Sequence, residues 1–106
     1  MEWLYLFIAG LMEIGWPLGL KLSQTTGNKF WWIIFAVFCM GASGLFLWLA
    51  QKSIPMGTAY AIWTGIGAIG AFVAGILLFK DAASVVRIVS VTFIVIGIVG
   101  LKLAQS

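Results

Sequence analysis

The chain has 106 residues, 63% hydrophobic and 8% charged, with six basic and three acidic side chains for a net charge of +3. Its mean hydropathy of +1.15 lies outside the range of water-soluble domains, and about four spanning helices of roughly 20 residues use up the whole length, leaving no room for a separate soluble domain. The sequence has no histidine and one cysteine, which argues against a metal centre, a cofactor or enzymatic chemistry, and its scattered cations suit lipid headgroups rather than nucleic acid.

Apolar runs at 3–21, 30–50, 56–79 and 85–104 predict an all-α membrane protein, with residues 1–106 forming a single four-helix transmembrane domain. The runs are continuous and about twice the length of a barrel strand, so a β-barrel does not fit. The start Met1-Glu2-Trp3 lacks the basic stretch of a signal peptide, and the first run is expected to remain as a span. Breaks at Ser23 to Lys29, at Gln51-Lys52-Ser53-Ile54-Pro55 and at Lys80-Asp81-Ala82-Ala83-Ser84 are short enough to force antiparallel neighbours.

The first span carries the feature that calls for a function. Glu13 lies ten residues after Trp3, or roughly 15 Å along a helix rising 1.5 Å per residue, which is mid-membrane. A charge there is costly unless it is paired, hydrated or neutralised. Desolvation favours the protonated form, so the group is suited to gaining and losing a proton. The bland alternative is a permanently protonated Glu13 bonded to a neighbouring helix. No basic residue falls at that depth, which disfavours a fixed salt bridge. Spacing by threes places Gly10, Glu13 and Trp16 on one stripe.

In the second span, Cys39 reads as a small packing residue. Ser43, about midway along, has two open readings: a hydrogen bond to Glu13, or one back to its own helix. The third span repeats the three-residue spacing with Tyr60 and Trp63. Aromatic faces beside a carboxylate suit a cation, because the ring quadrupole attracts positive charge. That span is also dense in glycine, and Gly65-Ile66-Gly67 is expected to mark a bend, with close helix packing as the other reading. The fourth span sets Ser90 and Gly97 one heptad apart, a small-residue seam expected to serve dimerisation. Trp3, Tyr5, Trp31, Trp32 and Trp48 sit toward span ends as interfacial anchors.

Lys21, Lys29, Lys80 and Arg87 lie at one side of the membrane and Lys52 and Lys102 at the other. Four against two leans toward both termini outside, a bias weak enough to allow insertion in both orientations.

These features resemble the small multidrug resistance family, in its guanidinium-exporter subtype. The resemblance runs over nearly the whole chain. It rests on Gly10, Glu13 and Trp16 followed by Gly19-Leu20-Lys21, on the block Lys52-Ser53-Ile54-Pro55-Met56-Gly57-Thr58-Ala59-Tyr60-Ala61-Ile62-Trp63-Thr64-Gly65-Ile66-Gly67, and on the closing Gly97-Ile98-Val99-Gly100-Leu101-Lys102. Trp16, three residues after the acid, matches the guanidinium branch, whereas the quaternary-ammonium branch has glycine where this sequence has Pro17.

The resemblance implies an antiparallel, dual-topology homodimer in the inner or plasma membrane. Two copies of Glu13 would share one pocket and hold either protons or a substrate cation, with Ser43 orienting Glu13, Trp16 and Trp63 as walls, and Tyr60 on the central carboxylates. The expected activity is proton-coupled antiport of guanidinium or small substituted guanidinium cations. The alternatives are export of quaternary ammonium and other hydrophobic cations, or a non-transporting subunit of a heterodimer. Two departures stand out: Pro17 replaces a small non-proline residue and frees the carbonyl of Glu13, and Lys80-Asp81 stands where the family has a glutamate.

Overall fold

The computed structural model describes residues 2–105. Among these, four helices and no strands are present: α1 Glu2–Thr25, α2 Lys29–Ala50, α3 Met56–Phe79 and α4 Val85–Gln105. Their 21 to 24 residues give lengths of roughly 31 to 36 Å, enough to cross a hydrocarbon core of about 30 Å. Each apolar run of the sequence corresponds to one helix.

Helix ends follow local chemistry. α1 continues to Thr25, past the end of its apolar run at 21. Hydroxyls bond back to the carbonyls of the last turns: Ser23 donates to Leu20 O at 2.6 Å, Thr25 to Lys21 O at 3.2 Å and Thr26 to Leu22 O at 2.8 Å. These bonds satisfy carbonyls that a helix end leaves open. α3 starts after Pro55, whose fixed φ of −56° suits the residue before a helix. It ends at Lys80, which adopts the left-handed conformation at φ 59°, ψ 35°, while the Asp81 N–H closes on Gly75 O at 3.0 Å.

α1 lies between α2 and α3, and the backbone of α4 adjoins only α3. The resulting row α2, α1, α3, α4 measures 46 × 34 × 17 Å, a slab with α4 at its edge. Of the 20-residue spanning part of α4, none is buried. Large apolar side chains such as Phe93, at 69% exposure, face outward.

Within the slab, close helix approach depends on glycines set against bulky side chains. A Cβ on Gly10 of α1 would lie 2.7 Å from Ile66 of α3, and one on Gly15 would lie 2.6 Å from the sulfur of Cys39 in α2. Gly70 of α3 receives the side chain of Ile14 in the same way. Such interlocking is what holds helices together where lipid removes the hydrophobic drive between them.

Gly65 and Gly67 stand at close helix contacts. α3 is helical without interruption from Met56 to Phe79, and a Cβ on Gly65 would meet Ile98 of α4 at 2.7 Å while one on Gly67 would meet Cγ of Glu13 at 2.5 Å. Ser90 and Gly97 lie on exposed parts of α4. Ser90 bonds to Val86 O of its own helix at 2.8 Å, and Gly97 has open space beside it.

Basic side chains gather at the helix ends over aromatic rings. Lys102 Nζ lies 4.4 Å from the Trp3 ring centroid and Lys52 Nζ 4.8 Å from Trp48, at one end of the slab. Lys21 over Phe79 and Arg87 over Phe72 mark the other. Cation and ring together suit the headgroup level of a bilayer.

Candidate functional site

Glu13 is the twelfth of the 24 residues of α1, so the structure keeps it at mid-span. Its side chain is half-buried, and its stem rests on the space that Gly67 leaves in α3. The indole N–H of Trp16, one turn on, donates to Oε1 at 2.8 Å. This bond follows from local sequence, since residues three apart on a helix are surface neighbours. Among the described residues the other oxygen, Oε2, has no partner, yet no buried side-chain polar atom of these residues goes unbonded. Oε2 is therefore reachable from outside the protomer. The nearest basic residue along α1, Lys21, is eight positions away, or roughly 12 Å.

A second set of polar groups lies one turn earlier. Ser43 is fully buried, at 0% exposure, and its hydroxyl donates to Ala9 O of α1 at 2.7 Å while accepting the Trp63 indole N–H at 2.7 Å. Neither reading of Ser43 made from the sequence describes this. The single hydroxyl proton goes to α1 backbone, and so it goes neither to Glu13 nor to its own helix. Ala9 O is also the helical acceptor for the Glu13 N–H four residues later. The chain Trp63, Ser43, Ala9 thus ties α3, α2 and α1 together at the base of the turn that carries Glu13.

Tyr60 packs on Trp63, with ring centroids 5.2 Å apart and planes at 57°, and it is 55% exposed. In the single protomer it reaches Trp63 rather than Glu13. Gly10, taken from the sequence as part of the binding stripe, is buried against Ile66. It serves the α1–α3 contact, because the stripe it shares with Glu13 turns inward toward α3. Gly67 is the residue near Glu13 that spacing did not assign to the site; the sequence signal was a glycine at the middle of a span facing another span.

One carboxylate oxygen is thus held by an indole and the other left reachable at mid-depth, with an exposed tyrosine and a half-buried tryptophan from α3. The set can hold a proton or a small cation through charge, hydrogen bonding and ring contact. A lone oxygen-bearing side chain cannot supply a metal coordination sphere, and no group of three or more metal-ligating residues is found among the described residues.

Comparisons with known proteins place the chain among relatives of similar length. A family model described as Small Multidrug Resistance protein matches residues 1–94. A protein of Yersinia pseudotuberculosis serotype I (strain IP32953) named guanidinium exporter is 48% identical over 105 residues, covering 99% of this chain and 100% of the relative. Proteins of the same name from Proteus vulgaris and Escherichia coli (strain K12) are 46% identical over 105 residues and 44% over 104, with 98% or more of both chains covered in each case.

Proposed function

Because the chain belongs to the small multidrug resistance family, and is therefore a multi-pass transport protein of the inner or plasma membrane, we propose that it is a proton-coupled antiporter exporting guanidinium or small substituted guanidinium cations. The observation that carries this reading is the mid-span Glu13 carboxylate, bonded to Trp16 through one oxygen and reachable through the other. The relatives named guanidinium exporters supply the substrate class. Guanidinium is planar with N–H donors on every edge, so it can donate to the free carboxylate oxygen, a bond that a quaternary ammonium ion, which has no N–H, cannot make.

Coupling follows from exclusion. A protonated Glu13 has lost the charge that holds the cation, and a cation-bound Glu13 has lost its proton. Exchange of the two across the membrane is then antiport. Trp16 acts by orienting the carboxylate. Trp63 and Tyr60 wall the space beside it, and Ser43 fixes Trp63 against α1.

The working unit in this reading is an antiparallel homodimer in which two Glu13 carboxylates face one pocket. The exposed faces of α4 at Ser90 and Gly97 suit self-association through small residues. Two inverted copies supply the symmetry that alternating access uses. Pairing with a non-identical subunit is the other assembly, told apart by transport from this chain reconstituted alone.

Binding heats test the shared-site idea. Calorimetry of guanidinium binding in buffers of different ionisation enthalpy is expected to reveal proton release by wild type and none by Glu13→Gln. Binding without proton release at every pH defeats the mechanism. Tetrapropylammonium, competing more strongly than guanidinium, would point instead to a hydrophobic-cation exporter.

A further inference from the structure

A cavity of about 260 Å³ runs between α1 and α3 toward the end of the slab marked by Lys21 and Arg87. Ile14, Leu18 and Lys21 line it from α1, on one stripe at helical spacing. Neither Glu13 nor Gly67 lines it, so it is separate from the carboxylate site. Ile14 to Lys21 is roughly 10 Å of helix rise. Lys21 stands roughly 12 Å beyond the mid-span Glu13, close to the roughly 15 Å half-thickness of a hydrocarbon core. The cavity is therefore apolar toward the bilayer centre and charged at headgroup depth.

Two unlike charges stand at its mouth. The Lys21 ammonium lies 5.9 Å from the Phe79 ring centroid, a contact that draws it across to α3. Asp81 is held by the backbone. Lys80 turns left-handed at φ 59°, the Asp81 N–H closes on Gly75 O at 3.0 Å, and the carboxylate folds back over Gly75, where a Cβ would overlap Oδ2. Lys21 and Asp81 both line the cavity and both are exposed. Among the described residues no ion pair joins them, and neither charge is used by a side-chain hydrogen bond. A cation and an anion thus face one space without neutralising each other.

We propose that this cavity binds one phospholipid with a primary-amine headgroup, its phosphate on Lys21, its ammonium on Asp81 and one acyl chain along Ile14 and Leu18. The pattern of charge selects that occupant. A phosphate accepts from the lysine ammonium, and a primary ammonium keeps N–H donors for the carboxylate. Phosphatidylcholine carries the same net charge, but its quaternary nitrogen has no N–H. Phosphatidylglycerol has the phosphate without a cation, and Asp81 repels it. The site needs nothing from Glu13 and is independent of the transport reading above.

Lipid retention tests it. The full chain is reconstituted in liposomes of dioleoyl phosphatidylethanolamine, phosphatidylcholine and phosphatidylglycerol in equal amounts and extracted in mild detergent. Lipid that stays bound is identified by native mass spectrometry. Wild type is expected to retain the ethanolamine lipid over the choline lipid by about 3- to 10-fold, the scale of one charge-assisted hydrogen bond at an exposed site. Asp81→Asn keeps the backbone cap and is expected to remove this preference while raising retention of the glycerol lipid. Lys21→Gln is expected to lower retention of all three lipids, whereas Lys52→Gln, at the opposite end of the slab, keeps the wild-type pattern. Wild type that retains no lipid, or retains the ethanolamine and choline lipids equally, overturns the proposal. So does a preference that survives in Asp81→Asn or disappears equally in Lys52→Gln. Displacement of the bound lipid by saturating guanidinium would give the cavity to that cation and overturn the assignment as well.

Discussion

The indole N–H of Trp16 donates to Oε1 of Glu13 at 2.8 Å, leaving the second carboxylate oxygen as the one that a proton or cation meets. A neutral hydrogen-bond donor in this place occupies one oxygen without competing with a substrate for the carboxylate's charge. It also fixes which way the carboxylate faces.

Trp16→Phe keeps a ring and removes the donor. Guanidinium affinity is expected to drop about 5- to 30-fold, in line with roughly 1–2 kcal/mol for a hydrogen bond to a charged group. Guanidinium titration of both proteins by calorimetry measures the loss, and an unchanged affinity in Trp16→Phe contradicts the assigned role.

Ser43→Ala removes the link between Trp63 and Ala9. The Trp63 N–H loses its acceptor, and a loss of about 1–3 kcal/mol in unfolding stability is expected. Because Ser43 makes no bond to Glu13, the pH dependence of guanidinium binding should be nearly that of wild type. Denaturant unfolding in mixed micelles together with binding at several pH values separates these effects. A large pH shift would mean that Ser43 acts on the carboxylate.

Gly67→Ala places a methyl 2.5 Å from Cγ of Glu13. The helix pair must spread or the carboxylate must move, at about 1–3 kcal/mol, and coupled transport is expected to fall at least 10-fold. Gly97→Ala, with open space around it in the protomer, should leave protomer stability within about 0.5 kcal/mol. Thermal unfolding of both variants at a dilution that separates subunits is the check.

Lys80 takes a left-handed conformation, φ 59°, that disfavours a Cβ. Lys80→Gly is expected to stabilise the end of α3 by about 1 kcal/mol. Because Lys80 is also one of four basic residues at its end of the slab, the same variant weakens the charge bias and should increase the share of the opposite insertion. Unfolding measurements and labelling of single cysteines from each side report the two effects separately.

The four spans were legible because long apolar runs between polar breaks leave few alternatives. The Trp16–Glu13 pair was legible in kind as well, since it depends only on spacing within one helix. What escaped was set by the register between helices. Ser43 meets Ala9 because α2 packs on α1 at that height, and Gly10 faces Ile66 because α1 turns that side to α3. Neither register is written in either span alone. For the same reason the partners of Gly65 and Gly67, Ile98 and Glu13, are not readable from the third span alone. The end of α1 was misjudged by four residues because Ser23, Thr25 and Thr26 satisfy its last carbonyls where composition suggests a loop.

The most direct test of the account is flux through Glu13 in a sealed membrane. Wild type and Glu13→Gln are reconstituted into proteoliposomes, an outward guanidinium gradient is applied, and guanidinium movement and internal pH are followed together. The account predicts guanidinium efflux coupled to proton entry in wild type and neither flux in Glu13→Gln. Guanidinium efflux with no proton movement in wild type, or coupled exchange that survives in Glu13→Gln, would contradict it.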